Sequence, residues 1–212
     1  EQELDDLKQR LALTRWPDKE TPQDWTQGIP LAYMIEIHDY WLTQYDWPAR
    51  LALLNRWPGF KAEIDGLGIH FLHIKSPEPD ALPLLMTHGW SGSIVEFQKV
   101  IGPLTNPTEH GGLASDAFDL VIPTLPGFGY SDKPVSPGWN IDRIATAWDE
   151  LMIRLGYDRY VAQGGDWGSI VTAQIGVQNL GHCIGIHMNM PIAPPDPNNM
   201  DNLTDQETDA LK

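Results

Sequence analysis

Gly164-Gly165-Asp166-Trp167-Gly168-Ser169 constrains this chain more tightly than any other stretch. A short apolar run, Tyr160-Val161-Ala162, leads into it, and a helical pattern continues from Ile170 to Gln178. Strand, sharp turn and helix, with small residues two positions before and after the centre, is the pattern of a nucleophile elbow. The usual centre is serine or cysteine; here it is Asp166. That exchange alters the chemistry. A serine alkoxide attacks a carbonyl and leaves an acyl-enzyme, whereas a carboxylate displaces a leaving group at a saturated carbon. The product would be an alkyl ester of Asp166, which water must then cleave. The N-terminus of the following helix favours the negative charge that the attack requires.

The chain around the elbow alternates strand and helix patterns. Residues 1–58 read as a helical, Trp-rich leader. Leu4, Leu7 and Leu11 share one helix face, Tyr33, Met34, Ile37, Trp41 and Tyr45 follow at helical spacing, and Pro48 opens a third helix. From residue 59 the period changes. Phe60–Asp65 and Ile69–Lys75 flank the turn Asp65-Gly66 as a β-hairpin. Leu82–Thr87, Phe118–Ile122, Tyr160–Gln163 and Cys183–Met188 read as buried strands, and Ile94–Leu104 and Ile141–Leu155 as helices. The expected architecture over 59–190 is therefore α/β, a mostly parallel sheet with helices on both faces. Residues 191–212 turn rich in Pro, Asn and Asp and read as a loop and the start of a lid.

Composition narrows the function classes. A formal charge of −15 over 212 residues disfavours nucleic acid and anionic membrane surfaces as partners. Cys183 is the single cysteine, so no intrachain disulfide forms. The charged opening EQELDDLKQR does not read as a signal peptide, and no segment has the roughly 20 apolar residues of a membrane span. A cytoplasmic location is the expectation. His182, Cys183 and His187 lack metal-ligand spacing, and no Gly-rich dinucleotide loop appears. Neither a metal nor a cofactor is expected.

Two further loops converge on the same sheet edge, where open α/β sheets bind ligands. His88-Gly89-Trp90 follows the strand from Leu82, and Pro126-Gly127-Phe128-Gly129-Tyr130-Ser131 follows the strand from Phe118. The backbone N–H groups of Trp90 and Trp167 would form an oxyanion hole for cleavage of the Asp166 ester, each donor contributing about 2.7–4 kcal/mol.

In these loops, the elbow and the leader with Arg15-Trp16-Pro17 and Phe60-Lys61-Ala62-Glu63-Ile64-Asp65-Gly66, the chain resembles the microsomal-type epoxide hydrolases. These are a branch of the α/β-hydrolase superfamily with an added N-terminal region. The resemblance runs along nearly the whole chain. It implies hydrolysis of a small hydrophobic epoxide to a vicinal diol, as in detoxification. Asp166 is then the nucleophile, Trp90 and Trp167 are the oxyanion donors, and His88, Gly89, Gly165 and Gly168 shape the turns. Where the family carries proline after His-Gly-Trp, this sequence has Ser91.

The resemblance also implies groups not found here. The family's relay acid, histidine and two lid tyrosines follow the nucleophile, and its sheet has eight strands, of which six are legible. His182 and His187 read as strand or core residues, Asp196, Asp201, Asp205 and Asp209 as loop or lid residues, and no tyrosine follows Tyr160. The expected partner is a complementary C-terminal polypeptide that supplies these groups and pairs with the apolar strand at Cys183–Met188. Two alternatives stand beside this reading. Haloalkane dehalogenases share Asp-Trp-Gly at the elbow, but they carry asparagine where this chain has Trp90 and lack the leader. A non-catalytic ligand-binding or regulatory half is the other.

Overall fold

In the computed structural model, which describes residues 1–192, 198 and 200–210, the chain divides into two units, Glu1–Leu53 and Leu54–Lys212. The first holds α1 (Gln2–Ala12), α2 (Leu31–Thr43) and most of α3 (Trp47–Asn55). Leu4, Leu7 and Leu11 are half-buried on one face of α1, as the spacing requires. The Leu11 carbonyl accepts a hydrogen bond from His38 Nε2 at 2.9 Å, and the Trp16 ring meets His38 edge-on at 5.0 Å. Glu20 caps α2 by accepting from the Leu31 N–H at 2.9 Å.

The second unit is built on a six-stranded sheet in the order β1-β2-β4-β3-β5-β6. Strands β1 (Gly59–Ile64) and β2 (Leu67–Ile74) form the hairpin. Its two-residue turn has positive φ at both Asp65 (49°) and Gly66 (73°), the geometry that matches strand twist. β2 also pairs antiparallel with β4 (Phe118–Pro123). β3 (Leu82–Thr87), β4, β5 (Tyr160–Gly164) and β6 (Cys183–Met188) are parallel to one another. Chain order reverses at β3, which has β4 on one side and β5 on the other, and this is the switch point where such sheets open a crevice.

Side chains alternate between the two faces. Ile69, Phe71, Leu85, Val121 and Ala162 pack under α5 (Ile141–Arg154) and α6 (Trp167–Gln178). Leu72, Ile74, Leu84, Met86, Leu120 and Ile122 pack on the other face against Ile94, Phe97 and Ile101. Residues 94–104, read from sequence as one helix, form a 3-10 turn (Ile94–Phe97) and the short α4 (Ile101–Thr105). Pro103 is the reason. It has no N–H to continue a long helix, but it fits the first turn of α4, where amides have no intrahelical acceptor. β6 is an edge of the described sheet, as an incomplete sheet requires, but it is not the buried strand its apolar run suggests: Ile184 and Ile186 are exposed. Beyond it are a 3-10 turn at Met200–Asn202 and α7 (Asp205–Ala210); Asp196 lies outside the described residues. No helix among the described residues is long and apolar enough to cross a membrane.

Two polar ties fasten α5 to the strands. The Trp148 indole, fully buried, donates to Thr87 Oγ1 at 3.1 Å. Asp149 accepts from the Tyr160 hydroxyl at 2.8 Å and from His182 Nδ1 at 3.0 Å, and burial pushes the Tyr160 phenol up. The first tie ends β3 one residue before His88. Replacing Trp148 by alanine should therefore lower the unfolding free energy by about 3–5 kcal/mol in urea denaturation, and phenylalanine should recover most of that loss.

Candidate active site

The register pairs Thr87 of β3 with Gly164 of β5, so the two strands end side by side. Past those ends the chain turns into His88-Gly89-Trp90 on one strand and the elbow on the other. Three glycines permit the approach. A Cβ on Gly168 would lie 2.0 Å from the Thr87 carbonyl oxygen, one on Gly164 would lie 2.0 Å from the Gly168 carbonyl, and one on Gly89 would lie 2.5 Å from Asp166 Cβ. Gly165 differs: a Cβ there would meet Asn189 at an ordinary 3.7 Å. The space-limited glycines of the elbow are thus Gly164 and Gly168. Gly165 lies in the same turn without a close contact of that kind.

Asp166 caps α6 at φ 53° and ψ −126°, a conformation that costs a non-glycine residue on the order of 1–3 kcal/mol. Its carboxylate is exposed, and Oδ1 accepts a hydrogen bond from the Trp90 N–H at 2.7 Å. The Trp167 N–H opens α6, where an amide lacks an intrahelical acceptor, and it makes no hydrogen bond to this carboxylate. The Trp90–Ser91 peptide is cis. Trp90 and Trp167 also border a cleft of about 490 Å³, whose other walls include Leu125, Phe128, Trp139 and Val171.

His88 is fully buried and lies beneath this arrangement. Its Nε2 accepts the Leu125 N–H at 3.1 Å, which leaves Nδ1 protonated to donate to the Gly89 carbonyl at 2.9 Å. The neutral ring therefore joins the loop after β3 to the loop after β4, with Phe128 edge-on at 5.6 Å. That hydrogen-bonding role could not be read from a His-Gly pair alone. The other histidines after the elbow lie elsewhere. His182 is bonded to Asp149, and His187 is exposed on β6. No cluster of metal-ligating side chains occurs among the described residues.

Residues 83–207 match the family described as the alpha/beta hydrolase fold, and residues 1–97 match the epoxide hydrolase N terminus. The chain belongs to the α/β-hydrolase family. A Stigmatella aurantiaca protein, named provisionally as an epoxide hydrolase, is 53% identical over 98% of this chain and 47% of its own length. Epoxide hydrolase 1 of Sus scrofa is 36% identical over 91% of this chain and 43% of its own length. Among solved structures, the juvenile hormone epoxide hydrolase of the silkworm Bombyx mori superposes with a TM-score of 0.81 at 34% identity, covering 90% of this chain and 50% of that one. The chain spans about half the length of the curated relatives it matches.

Burial holds the His88 pKa below the ordinary histidine range, against a smaller opposing effect of the Gly89 carbonyl. His70 and His73 are lowered for the same reason, burial. The unfolded chain binds these protons near the ordinary value of about 6.5, and the folded chain resists them. Stability from the neutral rings is therefore complete above about pH 6.5 and is lost as pH falls below it. The melting temperature should drop between pH 7 and 5, and His88→Gln should flatten that slope without abolishing it.

Proposed function

We propose that this chain carries the nucleophile-bearing part of an epoxide hydrolase. One observation carries the reading: Asp166 is held at a strained turn with its carboxylate exposed and Oδ1 on the Trp90 amide. The match of residues 1–97 to the epoxide hydrolase N terminus favours an epoxide over a halide as the electrophile.

The steps follow from which oxygen is engaged. Trp90 occupies Oδ1, which leaves Oδ2 to attack a ring carbon. The carbon–oxygen bond of the ring breaks, and the departing alkoxide takes a proton from a lid tyrosine. Oδ1 is then the carbonyl oxygen of the ester. A histidine removes a proton from water, and the hydroxide attacks Cγ of Asp166. Charge gathers on Oδ1, where the Trp90 and Trp167 amides stabilise it. The Cγ–Oδ2 bond then breaks, the departing oxygen takes the proton of the added hydroxyl and leaves in the diol, the histidinium returns its proton to the tyrosinate, and the water oxygen stays on Asp166.

The tyrosines, the histidine and its relay acid belong, in this proposal, to a complementary C-terminal polypeptide corresponding to the half of the relatives that this chain does not span. Two features support a place for it. β6 has a free pairing edge among the described strands. Beside it, Leu84, Met86, Leu104 and Val161 line an apolar groove of about 570 Å³ on the face opposite α5 and α6. An edge of this kind invites a further strand.

Turnover in heavy-oxygen water by the chain with its complement tests the reading. Repeated cycles should load the label into the peptide that contains Asp166, and Asp166→Asn should abolish diol formation. Labelled diol from a single turnover, with an unlabelled Asp166 peptide, would mean that water attacks the epoxide directly.

A further inference from the structure

The cleft beside Asp166 has walls that exceed what a small epoxide needs. Four aromatic rings border it, those of Trp90, Phe128, Trp139 and Trp167, together with Ile144 and Val171. The one amide side chain in its lining, Asn140, is already engaged. The Asn140 Oδ1 accepts the Arg143 N–H at 3.0 Å as the cap of α5, and Nδ2 donates to Asp142 at 3.1 Å. The lining side chains carry no charge, and their remaining polar atoms are the indole N–H groups of the three tryptophans. An apolar cavity of about 150 Å³ is enough to hold benzene, and this cleft has about 490 Å³.

Trp139 stands outside both the elbow and the Trp90 loop, and it is braced from outside the cleft. The Arg143 guanidinium stacks 4.5 Å from its ring centroid. Arg143 in turn donates from Nε to Asp65 Oδ2 at 2.5 Å and from Nη2 to the Asp65 carbonyl at 3.4 Å. Asp65 belongs to the tight hairpin turn, and its carboxyl pKa is lowered chiefly by the hydrogen bond from Arg143. Gly138, at φ 109°, lets the chain bend to bring Trp139 in. The indole is thus clamped between the cleft and a hairpin on another part of the sheet. A long side chain spends little entropy on binding when it is already fixed.

Building on the epoxide hydrolase reading, we infer that Trp139 is a specificity-determining residue. It forms a flat wall for an aryl substituent of the epoxide, and Arg143 and Asp65 act as positioning residues that hold that wall. Ring-on-ring contact rewards aryl groups beyond the area they bury. An alkyl chain of the same length gains only the burial.

The experiment compares an aryl terminal epoxide with a short alkyl terminal epoxide, turned over by the chain with its complement. Trp139→Ala should lower the aryl-to-alkyl ratio of kcat/KM by roughly 10-fold, mostly through the KM of the aryl substrate. Trp139→Phe should keep most of the ratio. Arg143→Gln should lower it about 3-fold in the same direction, because a loosened wall binds less well. Equal losses for both substrates, or an unchanged ratio, would overturn the inference. A second arm does not depend on catalysis: equilibrium binding of an arylalkanol and an alkanol to the chain, followed by tryptophan fluorescence. The aryl preference should be present in the native chain and reduced in Trp139→Ala, or in Arg143→Gln if the alanine variant does not fold. Aryl preference with no diol formation would count against the hydrolase reading alone. No aryl preference in binding would count against the role of Trp139.

Discussion

The site depends on how closely two parallel strand ends can approach. Thr87 and Gly164 are register partners, and the elbow passes over the Thr87 carbonyl at a distance that no side chain on Gly168 would permit. Close packing of backbone on backbone gives Asp166 its unusual φ and ψ, because the turn has no room to relax. It also brings the Trp90 amide to the carboxylate. Widening the gap by one methyl group at Gly89, Gly164 or Gly168 would separate the Asp166 carboxylate from the Trp90 amide. The geometry of the proposed site therefore resides in the glycines as much as in the aspartate.

Around that contact the protein uses buried polar groups as ties. Trp148 fixes the end of β3 through Thr87, and His88 fixes the loop beyond it to the loop after β4. Both side chains are fully buried and both are hydrogen-bonded, as burial of a polar group demands. Asp149 does the same at the opposite end of β5, with Tyr160 and His182. The first two ties join segments distant in sequence and so hold the loops of the site to the sheet and to one another.

Much of this was legible from residue order. β3 and β6 have the limits that their apolar runs suggest, and the hairpin turn at Asp65-Gly66 is where that dipeptide requires it. The elbow is legible because its glycine spacing is a local steric requirement. What was not legible depends on contacts between distant segments. The break in residues 94–104 follows from where Pro103 falls within a helical turn. The free edge of β6 was expected from an incomplete sheet, but the exposure of Ile184 and Ile186 was not, because an apolar run does not say which face of an edge strand is covered. The brace from Asp65 through Arg143 to Trp139 spans more than 70 residues of chain and has no local signature.

The central claim is that Asp166 forms a transient bond to carbon. Rapid quenching of the chain and its complement with an epoxide, followed by peptide mass analysis, tests it most directly. The account requires one substrate mass on the peptide containing Asp166, lost on the timescale of turnover. Diol formation with no adduct on that peptide, or with the adduct on another residue, would contradict it.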